Sequence, residues 1–315
     1  MRKLPIITTT LLVLLATATQ ARAAEGAFEI NQLCVASGCF AGDDPGFPVE
    51  ITRSGRYVLT SDLDVSAEPS AASVTGVSID VILGNASVTL DLNGFAIRGP
   101  VTCSGSPTVS ACTPSVGAGG GSGVSVAPLK TATIRNGTIF GMGRYGVHCR
   151  SASTCTIQDV SVEQNADVGI RAEFANIAVV ENVVALRNGA DGFFLGVQQG
   201  SVENAQARGN AGSGILSGAA FITDSSATAN GADGIEADAS IEGSAAKNNG
   251  QDGIVCNSTC IARANVARSN TRYGINFRNG SMGGANRMSS NGDSDANFEV
   301  AFTEILPNSC TDGSC

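Results

Sequence analysis

The chain contains no tryptophan, three tyrosines and a single histidine in 315 residues, and charged side chains make up only 15% of it. One histidine excludes multi-histidine zinc centres, and any Ser-His-Asp or Cys-His mechanism would have to run through His148. Few charges combined with 39 glycines argue against helical bundles and for turn-rich β structure. Long apolar runs are also missing, apart from the start. There "MRKLPIITTTLLVLLATATQARAAEG" has a basic beginning, an apolar run from Leu4 to Ala18, and Ala21 and Ala23 placed for cleavage before Ala24. Residues 1–23 are therefore expected to be a secretory signal peptide. The run is shorter than the ~20 residues of a spanning helix, so no membrane span is expected in the mature chain. The expected location is secreted or periplasmic, outside the cytoplasm.

Removing Arg2, Lys3 and Arg22 with that segment leaves 16 basic against 28 acidic residues, a net charge of −12. Such acidity argues against nucleic acid and anionic membranes as partners. The ten cysteines form five close pairs: Cys34 with Cys39, Cys103 with Cys112, Cys149 with Cys155, Cys256 with Cys260, and Cys310 with Cys315. No pair has the two-residue gap of a zinc knuckle, and an even count in an exported chain reads as disulfides closed locally.

What the sequence has in abundance is repetition. "NGADGF" at 188–193 returns as "NGADGI" at 230–235 and "NGQDGI" at 249–254. The glycine before the apolar residue recurs as Gly123, Gly146, Gly169, Gly192, Gly214, Gly234, Gly253 and Gly274, with Gly55 and Gly76 as earlier members. The long gap between Gly76 and Gly123 holds one insertion, a surface loop at about 100–122. Self-similarity at this period means a solenoid. After each glycine an apolar residue alternates with an outward one, as in Ile170-Arg171-Ala172, which marks a strand with one buried face. A second apolar column runs Ile134, Ile157, Val180, Val202, Ile222, Ile241 and Ile261, and a third, mostly of alanines, runs from Val162 to Ala267. Three short strands per coil with no helical period predict an all-β fold, a single-stranded right-handed parallel β-helix of about ten coils. Asn165, Asn188, Asn210, Asn230, Asn249, Asn270 and Asn291 would then stack as an amide ladder at a turn. The glycine four residues later is expected to supply a positive φ.

"VTLDLNGFAIRG", "ATIRNGTIFGMGRYGVHC" and the later Asn-x-x-x-Gly-Ile units resemble the right-handed parallel β-helix repeat family of secreted, pectate-lyase-like, carbohydrate-active proteins. The likeness spans about Gly55 to Asn297. It implies an N-terminal cap at 24–54, a β-helix at 55–297 and a C-terminal cap at 298–315. The family includes pectate lyases, polygalacturonases, alginate epimerases, phage tailspikes and non-enzymatic surface proteins, so membership alone gives no activity. The Asn-Thr-Asp, Gly-His-Gly and Arg-Ile-Lys of polygalacturonases and the Asp-Pro-His-Glu of epimerases are absent, and the one Asp-Asp, Asp43-Asp44, falls in the cap segment.

Two outward columns remain as candidate sites. His148, Arg171, Phe194, Leu216 and Glu236 would line up on the first strand as a face for a glycan, with Phe194 as the stacking surface. Asp191, Asp233 and Asp252, each just before a repeat glycine, could offer oxygens to calcium, but the expected role is that of acidic residues in a solvated turn. No cofactor or metal is expected, calcium at these three carboxylates being the disfavoured alternative. The expected function is a non-catalytic, polysaccharide-binding or surface protein; the alternative is a lyase, hydrolase or epimerase acting on an acidic glycan.

Overall fold

The computed structural model describes residues 26–81, 87–114, 117–257, 259–298 and 302–315, so the expected signal peptide lies outside the described residues. The alternating columns become stacked parallel strands. One wall holds eleven of them, beginning with Val49–Ile51, Val77–Ile79 and Val124–Val126 and ending with Ile254–Cys256, Tyr273–Phe277 and Ser294–Phe298. The other 21 strands of the solenoid form two further rows, a second and a third wall, which run through single ten-residue strands at Thr131–Phe140 and Thr154–Glu163. All of these pairings are parallel and in register, so the β-helix expected from the repeat is what forms.

Inside, Ile170, Phe193, Ile215, Ile235, Ile254 and Ile275 are fully buried, as are the alanines of the third wall. Burying one such Ile or Phe contributes about 1.5–3 kcal/mol. The second column shifts at its end: Ala262, not Ile261, pairs with Ile241, and Ile261 turns to the outside opposite Ser240. Gly55 likewise belongs to the second wall, in Gly55–Leu59, while Val49–Ile51 opens the first wall. An aromatic cluster closes each end of the stack. Phe28, Phe40 and Tyr57 pack together at one end and Phe277, Phe298 and Phe302 at the other.

The corners carry the polar interior. Asn188 Nδ2 donates to Asn210 Oδ1 at 3.0 Å and to the Val162 carbonyl at 3.1 Å, and its backbone N–H reaches the same Oδ1 at 2.9 Å. The pattern repeats from Asn165 to Asn291 and terminates on the Asp295 carboxylate. A second ladder, not read from the sequence, occupies the corner between the second and third walls. Ser225, Ser244, Asn265, Asn286 and Asn308 hand hydrogen bonds down the stack to Glu304.

The role expected for the repeat glycines needs correction. Gly146, Gly169, Gly192, Gly214, Gly234, Gly253 and Gly274 do not have positive φ; the residues just before the ladder asparagines do, among them Gln164, Arg187, Ala229 and Ser269. The glycines are required by close approach. A Cβ on Gly169 would stand 2.7 Å from the Gly192 carbonyl oxygen and 2.8 Å from Asn188 Nδ2.

The five cysteine pairs are closed as local disulfides. The insertion is an antiparallel hairpin of Thr102–Ser104 and Ala111–Thr113 joined by Cys103–Cys112. It lies against the ladder corner, where Arg187 donates to the Gly105 carbonyl at 2.9 Å and Val101, Cys103 and Val109 pack on Ala166 and Ala211. Residues 115–116 lie outside the described part of that loop.

Candidate functional site

Register fixes the outward column of the first wall. His148 pairs with Arg171, Arg171 with Phe194, Phe194 with Leu216, and Leu216 with Glu236, one coil apart each time. At ~4.8 Å per coil the row spans roughly 19 Å. Its continuation does not stay open. Val255 and Asn276 are buried, with Asn276 bonded to both Asp252 and Asn297.

A second outward column decides the shape of the face, and it lies two residues further along each strand. Here Arg150 pairs with Glu173 and Glu173 with Gly196; Gly218, Asp238 and Asn257 follow Ser217, Ala237 and Cys256 on the next coils. The two glycines leave a gap between Glu173 and Asp238. The result is a shallow open groove of about 220 Å³ with Phe194 and Leu216 in it and Glu236, Asp238 and Asn257 at one end. Asn257 Nδ2 donates to Glu236 at 3.1 Å and to Asp238 at 2.7 Å, and the Arg278 guanidinium lies 3.7 Å from Glu236. These groups are held in place before any ligand arrives, which lowers the entropy lost on binding.

At the other end Glu173 ties the charged residues together. Arg171 donates to its carboxylate at 2.7 and 3.0 Å, and His148 Nε2 lies 3.1 Å from its other oxygen. Burial alone would raise the Glu173 carboxyl, but the hydrogen bonds from Arg171 and His148 outweigh it and hold the pKa below the ordinary value. Burial pulls His148 down against the pull of Glu173, so the imidazole is neutral at pH 7, with Nε2–H as the tautomer that can donate to Glu173. Tyr145, 1% exposed, packs against the His148 ring at 4.7 Å, and burial, followed by the charge of Asp167, raises its phenol. The Arg171 guanidinium sits over the Phe194 ring at 4.7 Å, joining the two halves of the face.

Asp191, Asp233 and Asp252 stand on the turn beside this face, with their carboxylates directed along the stack. Asp191 accepts from the Ser213 backbone at 2.7 Å, Asp233 from that of Asp252 at 2.8 Å, and Asp252 from that of Tyr273 at 3.2 Å. They act as caps for the next coil. Burial raises Asp191, and burial together with the charges of Asp252 and Glu236 pushes Asp233 up to about 6. Among the described residues no three His, Cys, Asp or Glu side chains converge as a metal site would require.

Glu173, Asp238 and Asn257 are absent from the candidates drawn from sequence. Following the two-residue period one step beyond Arg171 and Glu236 would have reached Glu173 and Asp238. Asn257 begins a loop and carries no comparable signal.

A model of the right handed beta helix region matches residues 101–223. No curated protein sequence matches the chain. Among solved structures, the periplasmic alginate epimerase AlgG superposes with a TM-score of 0.52 at 15% identity, covering 90% of this chain and 74% of that one. The A-module of the mannuronan C-5 epimerase AlgE4 from Azotobacter vinelandii gives 0.49 at 17% identity, covering 76% and 70%. At these identities the likeness is one of fold. The repeat and the three stacked walls give the chain a right-handed parallel β-helix fold, and the region matched by the family model lies within it.

Proposed function

We propose that the chain is an exported, non-catalytic β-helix protein that holds a polysaccharide along the first wall, with Phe194 and Leu216 as the contact surface. The observation that carries this reading is the groove opened by Gly196 and Gly218. A sugar ring has an apolar C–H face and a rim of hydroxyls. The Phe194 ring and Leu216 fit the first, and the carboxylates of Glu236 and Asp238 with the amide of Asn257 fit the second. Local disulfides and the N-terminal signal-like segment support export.

The competing reading is an epimerase, lyase or hydrolase on an acidic glycan. Such an enzyme needs a base and free cations to neutralise a uronate carboxylate. His148 and Arg171 do meet, but on a single carboxylate, Glu173, which already takes up the charge of Arg171. Incubating the purified protein with pectin, polygalacturonate and alginate should release no unsaturated product absorbing in the ultraviolet and no new reducing ends, while a glycan panel should reveal binding. Turnover that disappears in Arg171→Ala or His148→Ala would replace the binding reading with the enzymatic one.

A further inference from the structure

The charge on this acidic protein is unevenly placed. On the third wall, over the five coils from Gln206–Arg208 to Arg287–Ser289, the outward residues are Gln206, Arg208, Ser226, Thr228, Ala245, Lys247, Val266, Arg268, Arg287 and Ser289. Four are cations and none is acidic. Arg208, Lys247, Arg268 and Arg287 are all exposed, and among the described residues none of them has an ion-pair partner. On the neighbouring second wall, by contrast, Arg263 is paired with both oxygens of Glu242.

The order along the stack is regular. Arg208 pairs with Thr228, Thr228 with Lys247, Lys247 with Arg268 and Arg268 with Ser289, while Arg287 pairs with Val266 in the adjacent column. Arg208, Lys247 and Arg268 therefore form a line about 14 Å long, parallel to the solenoid axis, at steps of ~4.8 Å or twice that, and Arg287 follows one coil further on, displaced to the adjacent column. A shallow depression of about 310 Å³, bounded by Ala264, Asn265, Val266, Ala285 and Arg287, opens beside the line.

We propose that this stripe anchors an anionic polysaccharide bearing a carboxylate on each sugar, lying along the solenoid axis. A chain of uronate sugars repeats its charge at a step comparable to one coil, so successive carboxylates can meet successive cations. Val266, 39% exposed in the depression, gives a ring an apolar contact. An anionic membrane is a poorer fit, because the cations form a line one or two side chains wide, and Val266 and Ala245, the apolar side chains among these outward positions, are too small to insert. Single-stranded nucleic acid is poorer too, because no aromatic residue stands among these outward positions to stack a base. The site lies on a different wall from the groove and does not depend on it.

The test uses polygalacturonate and its fully methyl-esterified form, which keeps the sugars and removes the charge. The full-length mature protein should bind polygalacturonate, and raising NaCl from about 50 to 500 mM should weaken binding by about tenfold or more as the charges are screened. The ester should bind at least about tenfold more weakly than the acid form. The triple variant Lys247→Ser, Arg268→Ser, Arg287→Ser should lose polygalacturonate binding at an unchanged melting temperature, while Phe194→Ala should retain it. Unchanged binding by the triple variant, equal binding of the ester, or equal binding to phosphatidylserine vesicles or single-stranded DNA would overturn the proposal. Loss of groove binding in Phe194→Ala is a separate result that leaves the stripe intact.

Discussion

Replacing Asn210 by alanine removes one rung from the middle of the interior ladder, and the cost can be worked out atom by atom. Asn210 Oδ1 is the acceptor for the Asn188 backbone N–H at 2.9 Å and for Asn188 Nδ2 at 3.0 Å. Its own Nδ2 donates to the Ala185 carbonyl at 3.1 Å and to Asn230 Oδ1 at 2.9 Å. After the substitution the Asn188 N–H has no acceptor, while Asn188 Nδ2 keeps only the Val162 carbonyl and the Ala185 carbonyl loses a donor. Asn188 and Asn210 are fully buried, so water does not reach the gap without opening a coil. At about 1–3 kcal/mol for each buried group left unsatisfied, the loss should be about 3–6 kcal/mol. Asn291, half-buried at the end of the ladder, is the control, and Asn291→Ala should cost about 1–2 kcal/mol because solvent can replace the lost partners. Urea unfolding followed by circular dichroism gives both values. Equal losses at the two sites, or a loss at Asn210 below about 1 kcal/mol, would refute the claim that the amide column is a dry structural element.

Three further substitutions test the fold and the acidic turn. Gly192→Ala should destabilise the protein, because the added Cβ would stand 2.6 Å from the Gly214 carbonyl oxygen; a gain of about 0.4–1 kcal/mol, the usual result at an unstrained position, would contradict the close-approach reading. Ile235→Asp places a charge in the core and should cost more than about 4 kcal/mol, which would show as loss of the cooperative urea transition at mild denaturant. Asp233, whose pKa is raised to about 6, binds its proton more readily in the folded than in the unfolded chain. Its contribution to stability is therefore fully present below about pH 4 and is lost as pH rises through about 6. Asp233→Asn keeps an acceptor for the Asp252 N–H but cannot ionise, so it should raise the melting temperature at pH 7 and have no such advantage at pH 4. A variant effect that is independent of pH would show that the carboxyl is not perturbed.

Much of the fold is legible because a solenoid writes the same spatial problem into the sequence once per coil. Buried columns at Ile170, Phe193 and Ile215 recur with the coil, and an outward neighbour separates them from the next buried residue. What escaped is local. The second ladder mixes Ser225 and Ser244 with Asn265 and Asn286, so no single residue type marks it, although its steps match those of the first. Glycine spacing cannot tell a positive φ from a crowded Cα, and only the proximity of the next coil's carbonyl separates the two. The outward column of the first wall was readable as a row. Its groove was not, because the groove is made by Gly196 and Gly218, residues notable only for the side chains they lack between Glu173 and Asp238. The tying of His148 and Arg171 to Glu173 depends on contacts between adjacent coils, which periodicity places side by side without fixing side-chain direction.

The groove on the first wall is tested most directly by comparing two aromatic truncations on the uncharged glycan that binds the protein tightest, to which the cationic stripe of the third wall makes no contribution. Phe194 lies in the groove, while Phe221, 59% exposed, stands on the second wall and serves as the control. Isothermal titration should find Phe194→Ala weakened by about tenfold or more, consistent with loss of one stacking surface, and Phe221→Ala unchanged, with the glycan recovered intact in every case. Equal affinities for the two variants, or a glycan recovered shortened or epimerised, would contradict the account.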